Sequence, residues 1–275
     1  MLAAYANSID FGNPLAGLVV GEVADPVVPA GWTTVTMKAA SLNHHDLWSL
    51  RGIGLPADRL PMTLGCDAAG IDEQGNEVVV YTVVSDAPFG TDETIDESRS
   101  ILSEKFPGTF SERFAIPARN LIAKPTNWSW AEAACLPTAW LTAYRMLAVR
   151  SGLRPGNTVL VQGAGGGVAT ACIALGAAMG FRVWATSRDE EKRARALELG
   201  AHDVFESGAR LPDRVDAVME TVGEATWEHS VKCLKPGGTI VISGATSGPN
   251  PPAQLTRIFF KQLSVVGSTM GTLED

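Results

Sequence analysis

The run Thr158-Val159-Leu160-Val161-Gln162-Gly163-Ala164-Gly165-Gly166-Gly167-Val168-Ala169 constrains this chain more than any other. Val159 to Val161 is apolar and rich in β-branched residues, as suits a strand buried on both faces of a parallel sheet. The small-residue run from Val168 to Met179 predicts a helix. Strand, tight glycine turn and helix, in that order, open a βαβ unit that can bind a dinucleotide. One glycine lets the chain reverse with positive φ, and another lets the backbone approach a pyrophosphate. The helix start then offers free N–H groups and the positive end of its dipole to the phosphates. Gly163, Ala164, Gly165, Gly166, Gly167 and Val168 are therefore the candidate phosphate-binding residues.

Two plainer readings compete. No charged residue falls between Pro155 and Phe181, a run long enough to cross a bilayer. Gly156, Gly163, Gly165, Gly166 and Gly167 crowd its first half, however, and would leave backbone groups unpaired in lipid. A glycine-rich surface turn is the other alternative.

The residues beyond the glycine helix favour the nucleotide unit. Arg182 to Thr186 reads as a second strand. Ser187 stands as an N-cap with Glu190 three places on, a capping-box pattern. The charged helix Glu190 to Leu199 runs to Gly200, where a C′ glycine belongs. Asp203 to Phe205, Val215 to Glu220, Gly238 to Ser243 and Leu263 to Ser268 are further strands. Strands alternating with helices predict a doubly wound parallel α/β sheet.

The first part of the chain is different. Leu18 to Val23, Thr33 to Ala39, Ala68 to Ile71 and Glu77 to Tyr81 are strand candidates, the last two joined by the turn-rich Asp72 to Asn76. Short strands with frequent Gly and Pro predict a small irregular barrel. Asp86 to Phe110 is acidic and aperiodic, as in an exposed loop. Trp130 to Arg150 reads as a helix or helix pair interrupted at Pro137. The boundaries are 1–127 and 128–275.

A formal charge of −8 argues against a nucleic-acid partner. Cys66, Cys135, Cys172 and Cys233 have no Cys-x-x-Cys spacing, so neither a disulfide framework nor a zinc knuckle is visible. The N-terminus shows no secretory pattern, and the expected location is cytoplasmic.

Ser41-Leu42-Asn43-His44-His45-Asp46-Leu47-Trp48, Leu64-Gly65-Cys66-Asp67-Ala68-Ala69-Gly70, Leu141-Thr142-Ala143-Tyr144-Arg145, the glycine run, Lys192 to Ala201 and Leu234-Lys235-Pro236-Gly237-Gly238 occur in that order. The set resembles the medium-chain dehydrogenase/reductase superfamily over nearly the whole chain. The resemblance implies a GroES-like β-barrel domain followed by a Rossmann domain, with hydride transfer from a nicotinamide cofactor in the cleft between them. It also implies that Thr142, Val222, Gly244 and Ala245 lie along the cofactor, and that Asn43, His45 and Asp46 are the candidate catalytic residues.

Two departures qualify the resemblance. Zinc alcohol dehydrogenases of the superfamily place Cys, His and Cys around the metal, and those places fall on Asn43, Cys66 and Thr138. Asn and Thr are poor zinc ligands, and the stretch of the structural zinc lobe, Thr91 to Phe106, has no cysteine. The chain is thus similar to the zinc-independent, quinone-oxidoreductase-like branch, with no metal expected. A rearranged site of His44 or His45 with Cys66 and Asp67 is the alternative. Second, members continue past the sixth strand, whereas this sequence stops at Asp275. The C-terminal part of the fold is expected to be missing, with apolar barrel surface uncovered.

The residue after the second strand selects the cofactor. Arg188 can pair bidentately with a 2′-phosphate, Ser187 can donate a further bond and Lys192 can add charge, so NADPH is expected. Asp189 could instead signal NAD; it reads here as a first-turn acid favoured by the helix dipole. Without zinc, hydrogen-bond donors must stabilise the charge that hydride transfer leaves on a substrate oxygen. Asn43 could donate from its amide and His45 could supply a proton. The plainer roles are a turn-stabilising Asn43 and buried or exposed histidines. The expected activity is reduction of a ketone, quinone or activated alkene. The alternatives are a non-catalytic NADPH-binding or sensor protein and a zinc-dependent alcohol dehydrogenase. The expected partners are a small-molecule substrate and a second copy in a homodimer, with no membrane.

Overall fold

The computed structural model describes residues 1–88 and 90–275. They form two compact units: Met1–Thr138 with Thr272–Glu274, and Ala139–Gly271 with Asp275.

The first unit is antiparallel. Its larger sheet runs in the order Leu121–Ala123, Glu77–Val80, Ala69–Asp72, Trp32–Ala39, Arg113–Pro117, and its smaller one Leu18–Glu22, Leu2–Ala6, Met62–Thr63. The expected hairpin forms because Asp72 Oδ1 accepts the N–H groups of Gln74 and Asn76 at 2.9 and 2.8 Å, an Asx turn that reverses the chain. Val35, Val78, Val80, Phe114 and Ile116 fill the core. Leu2, Leu18 and Val20 of the smaller sheet remain exposed.

Two expectations for this region need correcting. The acidic stretch from Asp86 is not an exposed loop throughout, and its Phe89 lies outside the described residues. Ser100–Ile101 pairs with Val83–Val84, and Leu102 is fully buried in the core. Its apolar residues occur singly, so no periodicity announces a burial that only tertiary contact creates. Nor does Pro137 interrupt the helix pair: Trp130–Ala134 is followed by π-helical turns over Leu136–Trp140 and Arg145–Arg150 around the α-helical Leu141–Tyr144. A widened turn accommodates a residue with no N–H to donate.

The second unit is a six-stranded parallel sheet in the order Asp203–Phe205, Arg182–Thr186, Thr158–Val161, Val215–Glu220, Leu234–Ile242, Ser264–Gly267. The strand order reverses beside Thr158–Val161, the switch point at which such sheets bind ligands. Val159 and Val161 enter the core on one face with Ala171, Cys172 and Ile173 of the helix Gly167–Ala178; Leu160 faces Trp184, Val218 and Ile240 on the other. Burying each such side chain stabilises by roughly 1.5–3 kcal/mol, so the strand before the turn is anchored on both faces. The fifth strand begins earlier than its sequence suggests, at Leu234, and its register against Val215–Glu220 shifts at Val215/Ala217 to take in Pro236 and the glycines. Among the described residues no helix is long and apolar enough to cross a membrane.

Candidate active site

In the second unit the glycine turn is built by two neighbours. Gly163 has φ +71°, and a Cβ there would lie 2.6 Å from Val222 Cγ2. Gly165 has φ +107°, and a Cβ there would lie 2.6 Å from Lys192 Cδ. Both must be glycine for reasons internal to the protein. Gly166 is unlike them: its φ is −81° and nothing lies within 4 Å of its would-be Cβ. The turn is tied down by Ala164 N–H, which donates to the Thr186 carbonyl at 2.7 Å. Apart from a loose backbone bridge between Ala164 and Gly166, the N–H groups of Gly165, Gly166, Gly167 and Val168 find no acceptor of ordinary geometry among the described residues. They stand at the start of the helix Gly167–Ala178, where such donors are unsatisfied by the helix itself.

The end of the second strand corrects the capping assignment. Ser187 is not the N-cap; Asp189 is, accepting Lys192 N–H at 3.1 Å. Ser187 is buried and its hydroxyl accepts Asp189 N–H at 3.2 Å, one turn too early to cap. Asp189 is accordingly not a first-turn acid. One of its oxygens is committed to the helix, which removes an acceptor that a ribose hydroxyl would need. Arg188 and Lys192 are exposed and have no ion-pair partner among the described residues.

Val222, Gly244 and Ala245 come together at the C-terminal ends of the fourth and fifth strands. Ser247 N–H donates to the Val222 carbonyl at 2.7 Å, and a Cβ on Gly223 would meet Ala245 Cα at 3.1 Å. A residue absent from the sequence-based set holds this region. Glu220, 1% exposed, accepts Val222 N–H at 2.8 Å, Gly223 N–H at 3.1 Å, Thr226 Oγ1–H at 2.9 Å and Ser230 Oγ–H at 2.6 Å. Its one sequence signal is a carboxylate closing the apolar strand Val215–Glu220. Ser230 also accepts from Gln162, which directly precedes Gly163, so the carboxylate is linked to the glycine turn. Thr142 is buried, its hydroxyl 4.0 Å from Met270 Sδ rather than directed to a ligand.

In the first unit the candidate catalytic residues do not act as one set. Asn43 caps the helix His44–Leu50, and its N–H donates to Asp46 Oδ2 at 2.8 Å. Its side-chain amide donates to Asp67 Oδ2 at 2.8 Å and lies 3.6 Å from Cys66 Sγ. The amide hydrogens expected to face a substrate oxygen therefore point into the protein. The carboxylate decides the amide's orientation, because only the NH₂ end can donate to it. Ser41 Oγ–H donates to Asp67 Oδ2 at 2.6 Å and Thr138 Oγ1–H to Oδ1 at 2.5 Å. Asp67 is fully buried, and burial raises its pKa against the lowering effect of these donors. Asp46 is pushed up to about 6, first by burial and further by the charge of Asp67. His45 faces elsewhere: its Nε2 is 3.9 Å from Glu104 Oε1, and burial lowers its pKa. It is a neutral, enclosed ring, not a ready proton source. His44 is exposed, its ring 6.4 Å from Trp48.

A GroES-like barrel and a Rossmann sheet bearing a glycine turn define a nicotinamide-type dehydrogenase. Residues 29–126 match the model of the alcohol dehydrogenase GroES-like domain, and residues 167–275 that of the zinc-binding dehydrogenases. The acryloyl-coenzyme A reductase of Metallosphaera sedula is 32% identical over 94% of this chain and 83% of its own length. The quinone oxidoreductase of Lama guanicoe is 28% identical over 95% of this chain and 78% of its own. A solved NAD-dependent alcohol dehydrogenase is 33% identical, with a TM-score of 0.90 over 98% of this chain and 85% of that one. The chain belongs to the medium-chain dehydrogenase/reductase superfamily.

Zinc, implied by the name of the second family model, does not suit the residues present. Asn43 and Thr138 are neutral oxygen and nitrogen groups, and burial with the neighbouring Asp67 pushes the Cys66 thiol well up, so it keeps its proton. Both oxygens of Asp67 already accept hydrogen bonds. Among the described residues no three His, Cys, Asp or Glu side chains are grouped to hold a metal, so the alternative set of His44 or His45 with Cys66 and Asp67 is not assembled.

Proposed function

We propose that this chain is an NADPH-dependent reductase that delivers hydride to an activated alkene, a quinone or a ketone without catalytic zinc. The observation that carries the reading is the row of unclaimed N–H groups from Gly165 to Val168 at a helix start, at the switch point of a parallel sheet. Such donors suit a pyrophosphate. Arg188 and Lys192, unpaired, support the 2′-phosphate form, and Asp189, engaged as a cap, supports it over the 2′-hydroxyl form. The alcohol dehydrogenase of similar structure is named for NAD, so the choice rests on these residues of this chain. The names of two relatives, a reductase of an acryloyl thioester and a quinone oxidoreductase, support a conjugated acceptor.

When bound, the dihydronicotinamide supplies hydride; the acceptor takes up one proton as well, from water or a side chain. The chain's own contribution is positioning. Gly165 to Val168 and the cations hold phosphates, while Glu220 keeps Val222 in place beside Gly163. Asn43 and Asp46 order the substrate side of the first unit through the bond between them.

The test is oxidation of NADPH, and of NADH in parallel, by the purified chain with a panel of quinones, enones and enoyl thioesters. Turnover with NADPH preferred is the expected result. A second reading, binding without turnover, is supported by the inward commitment of the Asn43 amide. Tight NADPH binding with no oxidation by any acceptor would establish it.

A further inference from the structure

We propose that Asp67 performs in this chain the organising role that a metal ion has in zinc-dependent relatives. Its carboxylate draws together the residues at the former ligand positions and is a positioning residue for the active site. Ser41 and Asn43 come from the segment entering the helix His44–Leu50, and Thr138 from the π-helical turn Leu136–Trp140. In sequence they are far apart, yet all three donate to one carboxylate at 2.5–2.8 Å. Two of them, Asn43 and Thr138, occupy places where the superfamily has zinc ligands, and the third place, Cys66, precedes Asp67 and touches both: its Sγ is 3.6 Å from Asn43 Nδ2 and 3.5 Å from Thr138 Oγ1. The geometry of a liganded centre is thus kept with its polarity reversed. Donors converge on an anion where acceptors would converge on a cation.

Electrostatics favours this arrangement. A buried carboxylate is tolerated when its lone pairs are taken up by donors, and Asp67 has donors on both oxygens without a cation among its hydrogen-bond partners. The consequence for chemistry is specific. Asn43 is oriented by Asp67 and does not stabilise charge on the substrate, so its substitution acts through the position of the helix start and of Asp46.

This inference rests on the reductase reading only for its kinetic part. The experiment is a double-mutant cycle on the full chain: Asp67→Asn, Asn43→Asp, and both together. Each single change faces like groups at one another, whereas the pair restores one amide against one carboxylate in exchanged positions. Urea unfolding, NADPH affinity and steady-state reduction are read for all four proteins. Expected are an Asp67→Asn enzyme with NADPH affinity within about twofold of the parent and kcat lowered about tenfold or more. The double variant should recover at least about threefold of the lost kcat and part of the lost stability. A side chain that merely filled space would not be rescued by the exchange. Asp67→Asn indistinguishable from the parent, or a double variant no better than the weaker single, overturns the inference. So does about one tightly held zinc per chain, measured by mass spectrometry on the purified protein. If the parent turns over no acceptor, the reductase reading falls and the unfolding cycle alone decides the role of Asp67.

Discussion

Asp67 and Glu220 are both buried carboxylates saturated with hydrogen bonds, one in each compact unit, and they are held in different ways. Glu220 takes two of its bonds from the backbone N–H groups of Val222 and Gly223, donors that the chain supplies whatever its side chains. Asp67 depends on the side chains of Ser41, Asn43 and Thr138. The nucleotide-binding unit is thus organised by its backbone and the catalytic unit by its residue identities. The former should tolerate change in the neighbouring side chains and fail when the carboxylate goes. The latter should respond to any of its partners.

The largest effect is expected from Glu220→Ala, which strands two buried N–H groups and two hydroxyls. It should lower unfolding stability by about 3–5 kcal/mol, read by urea denaturation, and weaken NADPH binding because Val222 loses its anchor. A loss no greater than that of Thr226→Ala would break the contrast. Gly166→Val comes next. Gly166 has ordinary φ and open space around it, so the fold should persist with a melting temperature near the parent's. NADPH affinity should fall about a hundredfold, roughly 2.7 kcal/mol, if phosphates come as close as the free amides require. Unchanged affinity in a titration would remove the phosphate site. Arg188→Ala should weaken NADPH by about tenfold or more and NADH little, as expected for loss of a charge-assisted pair of roughly 1.5–3 kcal/mol. Equal weakening of both cofactors would show that the guanidinium does not read the 2′-phosphate.

The smallest effect sharpens the comparison through pH. Asp46, beside Asn43, has its pKa raised to about 6, so the folded chain binds its proton at a higher pH than the unfolded chain does. Stability from this group is therefore greatest below its unfolded pKa and is lost as pH rises through about 6. Asp46→Asn should flatten the pH dependence of unfolding between the ordinary aspartate range and that value. An unchanged slope would place the titration elsewhere.

Much of the second unit was legible because its signals are local. The apolar strand Thr158–Val161, the glycine turn and the small-residue helix are neighbours in sequence as well as in space, and φ above zero at Gly163 and Gly165 is a property of single residues. The misassigned cap at Ser187 shows the limit of such reasoning: Ser187 and Asp189 both suit an N-cap, and the helix start chose between them. In the first unit, Asn43 and Asp46 could be picked out by resemblance, but not the direction in which the Asn43 amide points. That direction is set by Asp67, a residue that reads in sequence as one acid within Leu64-Gly65-Cys66-Asp67-Ala68-Ala69.

The order of residues alone determined a βαβ nucleotide unit behind a β-rich unit, because hydrophobic period and glycine content act over a few neighbouring positions. Only tertiary structure decided that Ser41, Asn43 and Thr138 meet at one carboxylate and that Glu220 clasps the loop at Val222. Hydrogen bonds of that kind join residues remote along the chain, and a buried acid carries no mark in sequence of who will satisfy it.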